Sequence, residues 1–153
     1  YTLWHTLSLH DALPIYPMSI NISDRLMDLI FSAVEQGLMP LKRQQALVPF
    51  VMCRTKRGVV LSRFTHPHLE DALEKAYAHI RALDTDTLAY ALIYDGIVSV
   101  EDQDIDAVLV EAGERGQADG FRFAQRYQPA GERTPLYTIG DLAYLGQTEQ
   151  LLT

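Results

Sequence analysis

The sequence predicts an α+β fold, with two helices packed on one face of a mostly antiparallel sheet of four to five strands. Three observations predict it. Apolar residues recur at helical spacing in two segments, one beginning near Leu26 and one near Leu69. Between Thr87 and Gln128 the apolar period changes to two. The order is helix, hairpin, helix and then a meander, with no repeat, linker or low-complexity stretch between them.

In the first helix Leu26, Met27, Ile30, Phe31, Val34 and Leu38 share one face. Ser23 is a suitable N-cap, Ile22 can staple onto Met27, and Asp24 suits the positive end of the helix dipole. Gly37 and Pro40 are expected to close it. "ALVPFVMCRTKRGVVLSRF" then reads as two strands around Thr55, Lys56, Arg57 and Gly58. Pro49 cannot donate to a ladder, which places the first strand at an edge or bulges it. The second helix, "THPHLEDALEKAYAHIRALD", carries a stripe of Leu69, Ala72, Leu73, Ala76, Ile80 and Leu83. Pro67 falls in its first turn, and Asp71 with Lys75 makes an i,i+4 pair.

"LAYALIY", "IVSV", "IDAVLVEA" and "GFRFAQRY" are strand segments. Asp95 with Gly96 is either a two-residue turn or a bulge in a longer ribbon; the bulge is preferred, since the second arm is otherwise very short. Closing "GERGQAD" as a hairpin sets Ala112 opposite Phe121, Val110 opposite Phe123 and Val108 opposite Gln125. Glu111 then meets Arg122, and Ala107 meets Arg126, on the other face. A slip of one residue spoils both faces. Beyond the loop that follows Pro129, "LYTI" is a short strand, and the end reads as a helical turn with a frayed tail.

The opening "TLSLHDALPI", residues 6–15, stands apart. Residues 1–17 hold no Lys or Arg, which removes both a secretory signal and an Arg-rich transit peptide. Back-translated as ACT CTT TCC CTA CAC GAC GCT CTT CCG ATC, the ten residues resemble one frame of a short-read sequencing adapter. The resemblance implies that residues 1–17 are a non-native extension, that the natural start lies near Met18, and that residues 18–153 form a single domain.

Setting residues 1–17 aside leaves 136 of 153 residues, enough for one real core. The remaining 13 basic and 19 acidic side chains give a net charge of −6. An acidic chain repels nucleic acid and anionic membrane, and the longest apolar run, "ALVPFVMC", is far below the ~20 residues of a span. The single cysteine, Cys53, excludes an internal disulfide and suits a reducing, cytoplasmic compartment.

Charge is segregated along the chain. Between Glu35 and Glu70 there is no acid, but there are Lys42, Arg43, Arg54, Lys56, Arg57 and Arg63. Between Arg81 and Arg115 there is no base, but there are nine acids, from Asp84 to Glu114. Arg54, Lys56 and Arg57 are therefore candidates for contact with an anion or a partner, unless neighbouring strands neutralise each other at little energetic gain. The acids Asp102, Asp104 and Asp106 have calcium-loop spacing, but the required Gly and Glu positions hold Ala107 and Gly113, so a tight acidic turn is the better account. His68 and His79 lie about 16 Å apart along a helix, too far to share one ion with or without His66. Cys53 ends an apolar run and reads as a small buried hydrophobe. "GERGQADG" lacks the helix and Lys-Ser/Thr of a phosphate loop.

The remaining candidate site is the set Tyr94, Asp95, Glu111, Gln125, Arg126 and Tyr127 on consecutive strands. It reads as a small-ligand or acid–base site if a cleft covers it, and as cross-strand pairing if none does. The sequence favours a non-catalytic protein-binding module, of inhibitor or immunity type, acting through its acidic meander or its hairpin edge. The alternative is a small-molecule-binding or enzymatic domain built on the Tyr/Glu/Arg set. No catalytic residue, cofactor or metal is assigned; a protein partner is expected, with no nucleic acid and no membrane, and oligomeric state is left open.

Overall fold

The first helix, α1 (Asp24–Lys42), begins where its cap chemistry places it. The computed structural model describes residues 3–8 and 21–153, so Met18 lies outside the described residues. The Ser23 hydroxyl accepts from the Leu26 amide at 3.0 Å, and Ile22 and Met27 pack against the same core cluster. Leu26, Leu29, Ile30, Ala33, Val34 and Leu38 are buried; Phe31 is 52% exposed and falls off the predicted face. Gly37 and Pro40 do not close the helix but lie within it. At Gly37 a Cβ would stand 2.9 Å from Cγ2 of Ile93, so the glycine lets α1 lie close on the sheet. The actual stop is Gln44, with φ of 59°. Its amide reaches the Leu41 carbonyl at 3.1 Å while Gln45 reaches Pro40 at 2.9 Å, the bond pair of a Schellman ending.

Seven strands and a second helix complete the described elements: β1 (Leu3–Ser8), β2 (Phe50–Thr55), β3 (Gly58–Arg63), α2 (Leu69–Arg81), β4 (Thr87–Val100), β5 (Gln103–Glu114), β6 (Asp119–Gln128) and β7 (Tyr137–Glu149). Six of the strands form an antiparallel sheet in the order β3-β2-β4-β5-β6-β7, more than the four to five expected. The hairpin and the meander merge into one sheet because β2 pairs with the first half of β4. β1 runs parallel to the far half of β4 against residues 96–99, with an irregular register. No described helix is long and apolar enough to cross a membrane.

Several local expectations change. β2 is an interior strand; Pro49 stands just outside it, where its carbonyl accepts from the Phe64 amide at 2.9 Å. Pro67 precedes α2 instead of opening it, since His68 is the N-cap. Asp71 approaches His66 at 3.5 Å, whereas Lys75 is exposed on the outer side of the helix. β4 passes through Asp95 and Gly96 with neither turn nor bulge. Its turn comes at Glu101 and Asp102, whose φ values of 50° and 64° suit a tight two-residue hairpin. The β5–β6 register is as expected at all five pairs, from Ala112 with Phe121 to Ala107 with Arg126. β7 is far longer than "LYTI", with Gly140 and Gly146 at positive φ, and the tail packs through buried Leu151 and Leu152.

The two helices lie on opposite faces of the sheet, not on one. Ala89, Ala91 and Ile93 of β4, with Val108, Val110 and Ala112 of β5, pack under α1. The alternate residues Tyr90, Leu92, Tyr94, Ala107 and Leu109 pack under α2. "LAYALIY" is apolar at nearly every position, so both of its faces need cover.

Candidate functional site

The six meander residues divide between the two faces, because side chains alternate along a strand. Tyr94, Glu111 and Arg126 face α2; Asp95, Gln125 and Tyr127 face the α1 side. Pairing register placed them on neighbouring strands, but parity keeps them from forming one constellation.

On the α2 side, buried Glu111 is the centre. Its Oε2 accepts from Tyr94 and from Tyr77 of α2, each at 2.7 Å, and its Oε1 stands 3.5 Å from Nη2 of Arg122. Burial, then the Glu111 charge, then the hydrogen bond hold both phenol protons well above the ordinary tyrosine range. Tyrosines held this tightly do not act as acids near neutrality. The arrangement ties α2 to β4, β5 and β6 through one carboxylate. Arg126 is not part of it: its Nη2 lies 2.7 Å from where a Cβ at Gly140 would be, and its buried Nε has no hydrogen-bond partner among the described residues. The buried Nε of Arg122 is likewise unpartnered.

On the α1 side, the Tyr127 hydroxyl donates to Oδ1 of Asp95 at 2.7 Å. Burial raises Asp95 to about 6 against the lowering effect of that bond, and nearby Asp106 adds repulsion. Asp106 is itself raised by burial. Gln125 donates to the carbonyls of Arg126 and Gly140, at 3.2 and 3.1 Å, and so braces the β6–β7 pairing.

The basic hairpin residues also separate. Arg54 turns under α1 and donates to the Arg25 carbonyl, inside a groove shared with Glu114 and Arg115. Arg115 is committed to backbone, with bonds to the carbonyls of Thr87 at 2.7 Å and Asp84 at 2.8 Å. Lys56 meets Asp86 at 3.7 Å in an exposed pair, the mutual neutralisation that the sequence allowed for. Arg57 and Arg63 are exposed and make no ion pair among the described residues.

Among the described residues β3 ends the sheet, and only β2 pairs with it. Val59 and Val60 are 55% and 54% exposed although both are apolar. One groove flanks the strand on each face. On the α1 face a groove of about 280 Å³ runs between the hairpin and the end of α1, with Leu61, Arg63, Phe50 and Met39 in its walls. On the α2 face a groove of about 550 Å³ is lined by Val60, Ser62, Cys53, His79 and Leu83. Burial pushes the Cys53 thiol up to about 11, which leaves little thiolate for nucleophilic work. Among the described residues no three His, Cys, Asp or Glu side chains gather as a metal site.

Sequence reasoning missed Tyr77, Val59 and Val60. Tyr77 follows Leu73 by four positions and so shares the face of the α2 stripe; a polar-tipped residue there was the available signal. Comparison with family models, curated proteins and solved structures finds no match for this chain.

Proposed function

We propose that this chain is a non-catalytic protein-binding module that engages its partner through the β2–β3 hairpin, in the manner of an inhibitor or immunity protein. One observation carries the reading. The terminal strand β3 presents two exposed valines beside Arg57 and Arg63, which have no ion pair among the described residues. Native proteins blunt such an edge when it has no use, since an open apolar strand invites pairing. The titratable cluster offers little to a small-molecule reading, because Glu111 spends its hydrogen-bonding capacity on Tyr77, Tyr94 and Arg122.

Charge supports the same reading. The hairpin turn lies beside Thr87 at one end of β4, and the exposed acids Glu101, Asp102 and Asp104 lie at the other. At strand rise the two ends are roughly 40 Å apart, well beyond the screening length. The far end therefore presents mainly negative charge to a partner, whereas at the hairpin end Lys56 and Arg57 lie beside Asp84 and Asp86.

The test is affinity capture from a lysate of the source organism, at low and at raised salt. Wild type is run beside Arg57→Glu with Arg63→Glu, and beside Asp102→Lys with Asp104→Lys. A retained protein lost at raised salt and lost with the hairpin variant supports the proposal. No specific capture, or capture indifferent to salt, overturns it.

A further inference from the structure

We infer that β3 is a strand-addition site for an extended peptide segment of a partner, with apolar side chains at alternate central positions and an acidic residue near each end. The inference rests on the protein-binding reading and specifies the mode and the chemistry of the partner. A peptide laid along an open strand gains main-chain hydrogen bonds, and pockets for its alternate side chains confer selectivity. β3 supplies both.

The register fixes the geometry. Val59, Leu61 and Arg63 pair with Arg54, Met52 and Phe50, and so point to the α1 face. Val60 and Ser62 pair with Cys53 and Val51, and so point to the α2 face. A strand added outside β3 continues this alternation. Successive side chains then fall over the groove of Leu61 and Met39 on one face and over the groove of Val60 and Leu83 on the other. Each groove has β3 residues in one wall, Leu61 and Arg63 in the first and Val60 and Ser62 in the second. The exposed valines extend the apolar surface to the very edge.

Charge defines the two ends of the ligand. Arg57 sits in the turn before β3 and Arg63 is its last residue, six positions apart, or about 20 Å at strand rise. Acids near positions one and seven of a heptapeptide meet them both. The same charges disfavour a second copy as the occupant. Antiparallel self-pairing centred between Val60 and Leu61 sets Arg63 opposite Gly58, beside Arg57 of the other copy, at both ends. Like charges so placed oppose association.

The experiment pans a random heptapeptide library against the folded chain and against the Arg57→Glu, Arg63→Glu variant. Enriched sequences are expected to alternate apolar residues centrally, to carry Asp or Glu toward the ends and to lack central proline. The best of them is expected to bind the variant about tenfold more weakly, and to slow hydrogen exchange at β3 amides of the wild type. No enrichment, enrichment of basic or proline-centred sequences, or binding without β3 protection overturns the inference. So does sedimentation as a dimer that Val60→Lys converts to monomer. Capture from lysate that depends on Arg57 and Arg63 but leaves the β3 amides unprotected would sink this inference while sparing the hairpin-binding reading; absence of any captured protein, or capture that depends on Asp102 and Asp104 instead, would remove that reading itself.

Discussion

Replacing Glu111 with alanine should cost this protein a large part of its stability. The carboxylate oxygen Oε2 receives two phenol hydrogens at 2.7 Å, and the other oxygen faces Arg122 at 3.5 Å. Hydrogen bonds to a charged acceptor contribute about 1.5–3 kcal/mol each. Truncation also removes the carboxylate facing Arg122, whose buried Nε lacks a hydrogen-bond partner among the described residues. With the partly exposed Arg122 contact discounted for solvent screening, the loss comes to roughly 2–4 kcal/mol, against a total of roughly 5–15 for a domain. Tyr94→Phe removes one donor without stranding the carboxylate and should cost about 1–2 kcal/mol, with Tyr77→Phe lower because Tyr77 is only partly buried. The two tyrosines share one oxygen, so the double variant should depart from additivity by at least ~0.5 kcal/mol. Urea unfolding followed by circular dichroism reads all four, as shifts in midpoint at constant slope. A loss below ~1 kcal/mol for Glu111→Ala, or strict additivity of the tyrosines, would refute the view that this carboxylate fastens α2 to the sheet.

Asp95 should make the fold more stable as pH falls. Its folded value of about 6 exceeds the ordinary 3.8, so its contribution is fully present below the unfolded value and is lost as pH rises through the folded one. Asp95→Asn keeps an acceptor for Tyr127 and should raise stability at pH 7 by roughly 1–2 kcal/mol, after allowance for partial solvent screening. The gap between variant and wild-type melting temperatures should close between pH 6 and 4; a gap independent of pH contradicts the assignment. Gly37→Ala should destabilise by about 1 kcal/mol despite better helix propensity, because its Cβ meets the stiff Ile93 methyl at 2.9 Å. A higher urea midpoint would show that the contact relaxes freely. Deleting residues 1–17 should leave the melting temperature unchanged if the adapter resemblance is sound. A fall of many degrees would instead make the pairing of β1 with residues 96–99 an integral part of the sheet.

Much of the candidate site was legible in the sequence, though not its arrangement. Opposing Glu111 with Arg122 followed from the apolar pattern of two strands joined by a short turn. That pairing left Tyr77 unseen, since a contact across 34 positions depends on where α2 docks. The six meander residues looked like neighbours because their strands are adjacent; counting parity through β4 would have divided them. Charge segregation grouped Arg54, Lys56 and Arg57, which the structure separates. Only the tertiary fold turns Arg54 inward under α1 while Arg57 and Arg63 stay in solvent.

Periodicity and capping alone determined the types of the elements from α1 to β6, the Ser23 cap of α1 and the β5–β6 register. Each of these depends on residues near in sequence or joined by a short turn. Tertiary structure decided which face each helix covers, how far α1 continues past Gly37, and that "GDLAYLG" extends β7. An amphipathic helix needs an apolar surface without specifying which one, and β4 offers two. Gly37 can end a helix or bring it close to a sheet, and the presence of Ile93 beneath it settles the matter. Long-range packing resolves what local chemistry leaves degenerate.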